Sequence, residues 1–283
     1  MIQEIKADLH CHSYYSDGTL SPTEVLELAA KNDVELLALT DHDSTQGLIE
    51  AQKSADKLGI KFVQGVEVSV TWLDSLDVSH VVHIVGLNID ANNKALQEGL
   101  AENCFARSER SAKIIKALLE INIDLQDAID GQIPEKGLIT RTHIARALIE
   151  QGYVKNIDKA FKKYLGKGKK AFVGGQWASL EQAVSWIRQA GGVAVIAHPM
   201  RYRMSATRLD ALVQNFKALG GQGIEVVTAT QDVNQTARCV QLTKEYELYA
   251  STGSDFHSPH QLWAMLGRCP SLPVSVKPIW QAF

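Results

Sequence analysis

The stretch VELLALTDHD, residues 34–43, sets an apolar run directly against Asp41, His42 and Asp43. A run of this kind, without polar alternation, fits a parallel strand buried on both faces. Working outward, residues 4–12 read as another strand, and Ser21-Pro22-Thr23-Glu24 opens a helix. Ser21 can cap it, Pro22 suits the first helical position, and Glu24 completes a capping box. Residues 45–58 form an amphipathic helical pattern closed by Gly59, and residues 60–70 and 80–88 follow as strands. The alternation returns late: helices at 180–190, 208–219 and 233–246 interleave with strands at 193–197, 223–227 and 248–252. Repeated β-α units predict a mostly parallel sheet, either doubly wound or closed into a barrel.

The middle of the chain differs. Residues 93–164 read as helical throughout, with a long amphipathic stretch at 106–119, a helix after Thr140 and a third at 157–165. Residues 101–170 carry 14 Lys and Arg against 9 Asp and Glu, leaving 15 against 23 for the rest, so a basic insertion sits in an acidic body. The expected organisation is a first barrel part at residues 1–92, a basic, substrate-binding helical insertion at 93–170, and a second barrel part at 171–283. The densest positive run, KKYLGKGKK at residues 162–170, fits either a solvated face or a guide for RNA.

Composition removes several function classes. The 283 residues have a formal charge of −3, with 45% hydrophobic and 22% charged residues, as in ordinary globular proteins. No apolar run approaches the roughly 20 residues of a membrane span. The start, Met1-Ile2-Gln3-Glu4-Ile5-Lys6, lacks the architecture of a cleaved secretion signal. Cys11, Cys104, Cys239 and Cys269 show no pairing pattern, so a reduced, cytoplasmic chain is expected. The mild acidity argues against a general nucleic-acid coat.

Polar residues gather where the apolar strands stop. In DLHCHSYYSDGT, residues 8–19, a period of two puts Asp8, His10 and His12 on one face, and Leu9 and Cys11 on the other. Two such imidazoles can converge on one cation, although a single His-x-His also fits a pair of satisfied surface histidines. Glu67 lies inside the apolar FVQGVEV, where an unpaired carboxylate would be costly. His83 interrupts VVHIVG, VAVIAHP ends in His198-Pro199, and LYASTGSDFH ends in Asp255 and His257. Six of the nine His therefore lie at or near strand ends, with Asp17, Glu67 and Asp255. In a parallel barrel such ends share one rim, which predicts a multinuclear metal site. Imidazole and carboxylate without thiolate suit Zn²⁺, Mn²⁺ or Fe²⁺, and this many ligands suits three ions with Glu67 as a bridge.

The motifs HxH, SDGT, TDHD, GVEVS, HIVG, AHP and GSDFH run in that order from Asp8 to His257. Together they resemble the polymerase and histidinol phosphatase (PHP) family. The resemblance implies an α/β fold, a distorted (β/α)7 TIM-like barrel with a helical insertion domain. It also implies three divalent ions, Mn²⁺ foremost, with Zn²⁺ or Fe²⁺ as alternatives. By motif, His10, His12, Glu67 and Asp255 would hold one ion, Glu67, His83 and His198 a second, and Asp17, His42 and His257 a third. Asp17 stands where some relatives use His. Residues 80 and 83 face opposite ways on a strand, so one of the two His points inward, and the HIVG match favours His83.

The position of the insertion resembles the small bacterial members that remove the 5′-phosphate of nucleoside 3′,5′-bisphosphates and degrade RNA from its 5′ end (the RNase AM type). The implied reaction is in-line hydrolysis by metal-bound hydroxide, without a covalent enzyme intermediate. Asp17 and His42 would act at the catalytic ion. Asp43 would orient the His42 imidazole or assist a proton transfer, or else simply cap a turn. Arg141 with His143, together with Arg107 and Arg201, are candidates for gripping phosphates, since the guanidinium fork suits bidentate contacts. The expected partner is a small nucleotide or short RNA with a 5′-phosphate, with no membrane and no obligate protein partner. Two other readings remain open: a histidinol-phosphate phosphatase, and a non-catalytic, metal-stabilised interaction domain.

Overall fold

Strand β1 (Ala7–Asp8) leads through helix α1 (Pro22–Lys31) to β2 (Leu36–Leu39), and α2 (Leu48–Leu58) leads on to β3 (Lys61–Leu73) and β4 (Ser79–Leu87). This computed structural model describes residues 5–132 and 138–283, so Glu4, the expected start of the first strand, lies outside the described residues. The helical middle holds α3 (Lys94–Leu119), α4 (Gln126–Asp130), α5 (Arg141–Glu150) and α6 (Ile157–Ala160), which runs into a π-helical turn (Phe161–Leu165). The second half contains β5 (Ala178–Ser179), α7 (Leu180–Gln189), β6 (Val193–Ile196), α8 (Ala206–Ala218), β7 (Gly223–Thr228), α9 (Val233–Glu245) and β8 (Tyr249–Gly253).

Local chemistry explains several boundaries. Ser21 Oγ accepts the Glu24 amide at 3.2 Å, and the Ser21 amide donates to the Glu24 carboxylate at 2.8 Å, so the capping box forms. Gly59 ends α2 in the left-handed region at φ 72°, where a side chain would be strained. The apolar residues Val25, Leu26 and Ala29 of α1, and Ala51 and Ala55 of α2, are buried against the sheet. Each large side chain so buried contributes roughly 1.5–3 kcal/mol.

The strands run in the order β1-β2-β3-β4-β6-β7-β8, with β5 paired to β3 outside that path. The sheet then closes on itself. The Leu9 amide donates to the Thr252 carbonyl at 3.0 Å, the Asp255 amide donates to the His10 carbonyl at 2.8 Å, and Cys11 bridges Phe256. A Cβ at Gly253 would lie 2.2 Å from the His10 Cβ, so glycine is what lets the seam close. The result is the expected seven-stranded, distorted α/β barrel. One strand departs from the parallel pattern: β4 is antiparallel to both β3 and β6. Residues 74–78 alone join β3 to β4, far too few for a parallel crossover.

The apolar residues form separate clusters. One fills the space between the sheet and its outer helices, including Leu96 and Leu100 from the first half of α3. Another lies within the helical middle, where Ile114 and Leu118 of α3 pack with Ile129, Ile144, Leu148 and Leu165. Helix α3 therefore belongs to both and ties them together. No described helix is long and apolar enough to cross a membrane. All four cysteines are free.

Candidate metal and phosphate site

Every strand on the barrel path except β7 has a titratable residue of the motifs on it or at its carboxyl end, and these side chains meet. Glu67, fully buried on β3, is the centre. Its Oε1 lies 2.9 Å from His83 Nδ1, 3.0 Å from His198 Nε2 and 3.3 Å from His10 Nε2. Its Oε2 lies 2.7 Å from His42 Nδ1 and 3.4 Å from His12 Nε2. Burial alone would raise the Glu67 pKa, but His83, His42 and His10 hold it well below the usual carboxylate range. Asp255 Oδ1 completes this side, 3.1 Å from His12 Nε2 and 3.4 Å from His10 Nε2. Asp17 Oδ1 lies 3.1 Å from His257 Nε2 and 3.8 Å from His42 Nε2. Despite burial, Asp17 and Asp255 push the His257 pKa up to about 9.

The spacing fits cations. His10 Nε2 and His12 Nε2 stand 3.1 Å apart, with both rings aimed at one point. His198 Nδ1 is buried without a hydrogen-bond partner among the described residues, and Asp17 Oδ1, His42 Nδ1 and Glu67 Oε2 are buried with close neighbours but no well-aligned hydrogen bond. Such orphaned groups are costly unless something else satisfies them. Three sets have ligand atoms within 4.8 Å of one another: His12, Asp17, His42 and His257; His10, His12 and Glu67; and His42, Glu67 and His83. The donors therefore suit divalent ions. His80 is not among them, for it pairs with Asp74 at 3.2 Å and packs on Trp72. Register explains the split, since His83 faces Ser69, on the Glu67 side of the strand, whereas His80 faces Trp72 on the other.

The backbone aims these side chains. Asp43, His198 and Asp255 have φ of 50°, 29° and 54°, a region that non-glycine residues seldom occupy and that concentrates at functional sites. The Ser13–Gly18 loop carries Asp17 and folds around Asp41, whose carboxylate accepts the Ser13 amide at 2.8 Å and the Ser13 and Ser16 hydroxyls at 2.6 Å each. A Cβ on Gly18 would strike the His12 carbonyl oxygen at 2.5 Å, so the SDGT turn requires glycine there. Asp8 serves the seam instead, accepting the amides of Ser254 and Gly267 at 2.8 Å each.

The insertion covers one side of the cluster with cations. Asp43 makes no hydrogen bond to the His42 ring among the described residues. Its carboxylate accepts from the Ser69 amide and Asn103 Nδ2 at 2.8 Å each, and from Arg107 Nη2. Arg107 also donates to Ser69 Oγ at 2.7 Å, and its guanidinium lies 4.8 Å from the Trp177 ring centre, leaving Nε buried and unpartnered. Burial, then Arg141 and Arg107, push the Arg110 pKa down to about 9. Burial and Arg107 likewise lower that of Arg141. Arg141 itself rests over the Phe161 ring at 5.4 Å. His143 Nδ1 accepts the Thr140 amide at 3.1 Å, which leaves the hydrogen on Nε2 as a donor. From the barrel side, Arg201 Nη1 donates to Asp255 Oδ2.

Four contributors escape a reading of the sequence. Glu225 on β7 approaches His10 Nδ1 at 2.6 Å and accepts the His198 amide at 2.5 Å. Tyr202 accepts the His83 amide at 2.8 Å and donates to the Ala197 carbonyl at 2.9 Å, linking two strands of ligands. Arg146 donates to the Asp17 carbonyl at 2.7 Å, and Trp177 stacks on Arg107. Two left a trace in the sequence: Glu225, as a carboxylate inside the apolar GIEVV, the pattern that marks Glu67, and Arg146, as the end of the RTHIAR stretch that begins with Arg141.

A PHP domain matches residues 8–193. The chain is 46% identical to a 3′,5′-nucleoside bisphosphate phosphatase of Chromobacterium violaceum, covering 97% of this chain and 95% of that one. It is 41% identical to a 5′-3′ exoribonuclease of Haemophilus influenzae, covering 98% and 99%. An amidohydrolase from Chromobacterium violaceum, solved with bound sulfate and no metal, superposes with a TM-score of 0.92 at 45% identity, covering 98% of this chain and 95% of that one. Family, fold and converging strand-end ligands agree, and the chain belongs to the PHP domain family.

Proposed function

We propose that this protein is a metal-dependent phosphoesterase that removes the 5′-phosphate of nucleoside 3′,5′-bisphosphates and, by the same chemistry, degrades RNA from its 5′ end. The observation that carries this reading is the group of guanidiniums held beside a ligand cluster fit for cations, Arg107 and Arg110 at 4.8 and 5.6 Å from the Trp177 ring centre and Arg141 at 5.4 Å from that of Phe161. Arg107 is already paired with Asp43, so Arg110 and Arg141 are the charges that an anion at the cluster would meet. The names of the relatives, a bisphosphate phosphatase and an exoribonuclease, point the same way.

In this reading His10, His12, Glu67 and Asp255 hold one divalent ion, Glu67, His83 and His198 a second, and Asp17, His42 and His257 a third. Three such ions, Mn²⁺ foremost, supply Lewis acidity toward phosphoryl oxygens and an activated water. The rest falls to side chains. Arg201 places positive charge beside Asp255 on one rim. Arg141, with the Nε2–H of His143, receives the phosphate that is not cleaved. Asp43 fixes Arg107 rather than serving as a base. The division into barrel parts at residues 1–92 and 171–283 and a substrate-gripping insertion at 93–170 belongs to the same proposal.

The test compares turnover of adenosine 3′,5′-bisphosphate, a 5′-phosphorylated oligoribonucleotide and histidinol phosphate with added Mn²⁺. Turnover of the first two is expected. Histidinol phosphate as the sole good substrate would overturn the reading, and no turnover at all would favour a non-catalytic domain. Metal analysis of protein purified without chelators tests the ion count and identity.

A further inference from the structure

The proposed chemistry leaves the lysine run of the insertion unused. Lys162, Lys163, Lys167, Lys169 and Lys170 are all exposed. None pairs with a carboxylate among the described residues; the lysine ion pairs there are those of Lys94 and Lys113. Nor is the run a loose tail. Lys162 and Lys163 lie within the π-helical turn, a form that recurs at functional sites. The Lys169 amide donates to the Gly166 carbonyl at 3.0 Å, and the Ala171 amide returns to the Tyr164 carbonyl at 3.1 Å. Between them opens a cleft of about 410 Å³, lined by Ile121, Ile123, Lys163, Tyr164, Lys169 and Lys170.

The run is also joined to the phosphate site. Phe161, the first residue of the same turn, carries the Arg141 guanidinium over its ring at 5.4 Å. Arg141 in turn interacts with Arg107 and Arg110. The turn that begins the lysine run thus also seats an arginine of the candidate phosphate site. Aromatic platforms are missing from the run: Tyr164 is only 8% exposed, and Lys163 Nζ sits over its ring at 4.8 Å. Bases therefore have no exposed ring of the run to stack upon, and a row of flexible ammonium groups suits phosphates best.

We infer that the Lys162–Lys170 patch holds the phosphate backbone of an RNA substrate downstream of its 5′-terminal nucleotide. The inference rests on the exoribonuclease reading above. Binding through this patch is independent of sequence, sensitive to salt, and irrelevant to a free bisphosphate, which has no downstream chain.

The experiment uses the full chain in EDTA, so that binding is read without hydrolysis. Fluorescence anisotropy compares a 3′-labelled, 5′-phosphorylated dinucleotide with a dodecanucleotide over a series of salt concentrations. The wild type is compared with a variant carrying Lys162→Gln, Lys163→Gln, Lys167→Gln, Lys169→Gln and Lys170→Gln. The wild type should prefer the longer RNA by about tenfold or more, and the variant should lose that preference. The slope of log affinity against log salt should fall by about 0.7 for each lysine that neutralises a phosphate. Hydrolysis of adenosine 3′,5′-bisphosphate with Mn²⁺ should be unchanged, which also reports an intact fold. Equal affinity and slope for the two proteins, or no length preference in the wild type, would overturn the inference. A lysine-dependent preference in a protein that hydrolyses neither substrate would instead sustain the RNA contact and overturn the phosphoesterase reading.

Discussion

Glu225 grips two residues of the candidate metal cluster at once: one oxygen lies 2.6 Å from His10 Nδ1 and the other accepts the His198 amide at 2.5 Å. A carboxylate on the far nitrogen of a ligand imidazole fixes its tautomer and orientation, and losing one typically costs 10–100-fold in metal affinity or activity. Glu225→Ala should therefore lower metal affinity by about that factor. Metal titration followed by calorimetry checks this, and an unchanged affinity would show that His10 is held by packing alone.

Asp17 and His42 should matter to turnover more than to folding. Asp17→Ala or His42→Ala is expected to reduce kcat by more than about a hundredfold, beyond the usual loss for an outer partner. Thermal melts should show a folded protein. An active variant would remove that residue from the set of ligands.

The Asp43–Arg107 pair joins the barrel to α3, with Asp43 1% and Arg107 8% exposed. Breaking a buried pair strands one charge and costs about 3–5 kcal/mol. Asp43→Ala should destabilise the protein on that scale in urea unfolding. Asp43→Ala combined with Arg107→Leu should cost clearly less than the two single changes added. Simple additivity would mean that the pair contributes no coupling.

Arg141→Ala should weaken use of the bisphosphate by about 10–100-fold in kcat/KM, the value of a hydrogen bond to a charged group. A 5′-monophosphate should be affected far less. Equal losses on both would assign Arg141 to the cleaved phosphate or to the scaffold.

His143 should stay neutral through the physiological range. Burial pushes its pKa down to about 4, and Arg146 and Arg107 add to the effect. An unfolded His titrates near 6.5, so between pH 6.5 and about 4 only the unfolded chain takes up this proton. Its contribution to stability is complete above pH 6.5 and declines as the pH falls, by at most about 1.4 kcal/mol per unit. Imidazole NMR should show an Nε2–H tautomer with no titration above pH 5, and a midpoint near 6.5 would contradict this geometry.

The strand-end motifs were legible because each is a short contiguous phrase: an apolar run records burial, and the polar residues that stop it record the rim. Direction was not legible. The β4 run looks the same whichever way it travels, and its antiparallel sense lay only in the brevity of residues 74–78. Glu67 stood out as a carboxylate in an apolar strand, and Glu225 offered the same signal without a motif around it. Tyr202 reaches the His83 amide from 119 positions away, a contact that composition and periodicity do not encode. For Asp43, adjacency to His42 suggested either a shared task or a capping role, and its φ of 50° accompanies a side chain turned to Arg107 and the Ser69 amide.

The seam between β1 and β8 also governs when the protein can act. Ser254 and Asp8, joined there at 2.8 Å, are 246 positions apart. His12 is synthesised 243 residues before Asp255, the carboxylate that its ring meets. A growing chain therefore carries one half of the candidate cation pocket long before the residues of the other half exist. The candidate site is completed only when β8 closes against β1, rather than growing with the chain.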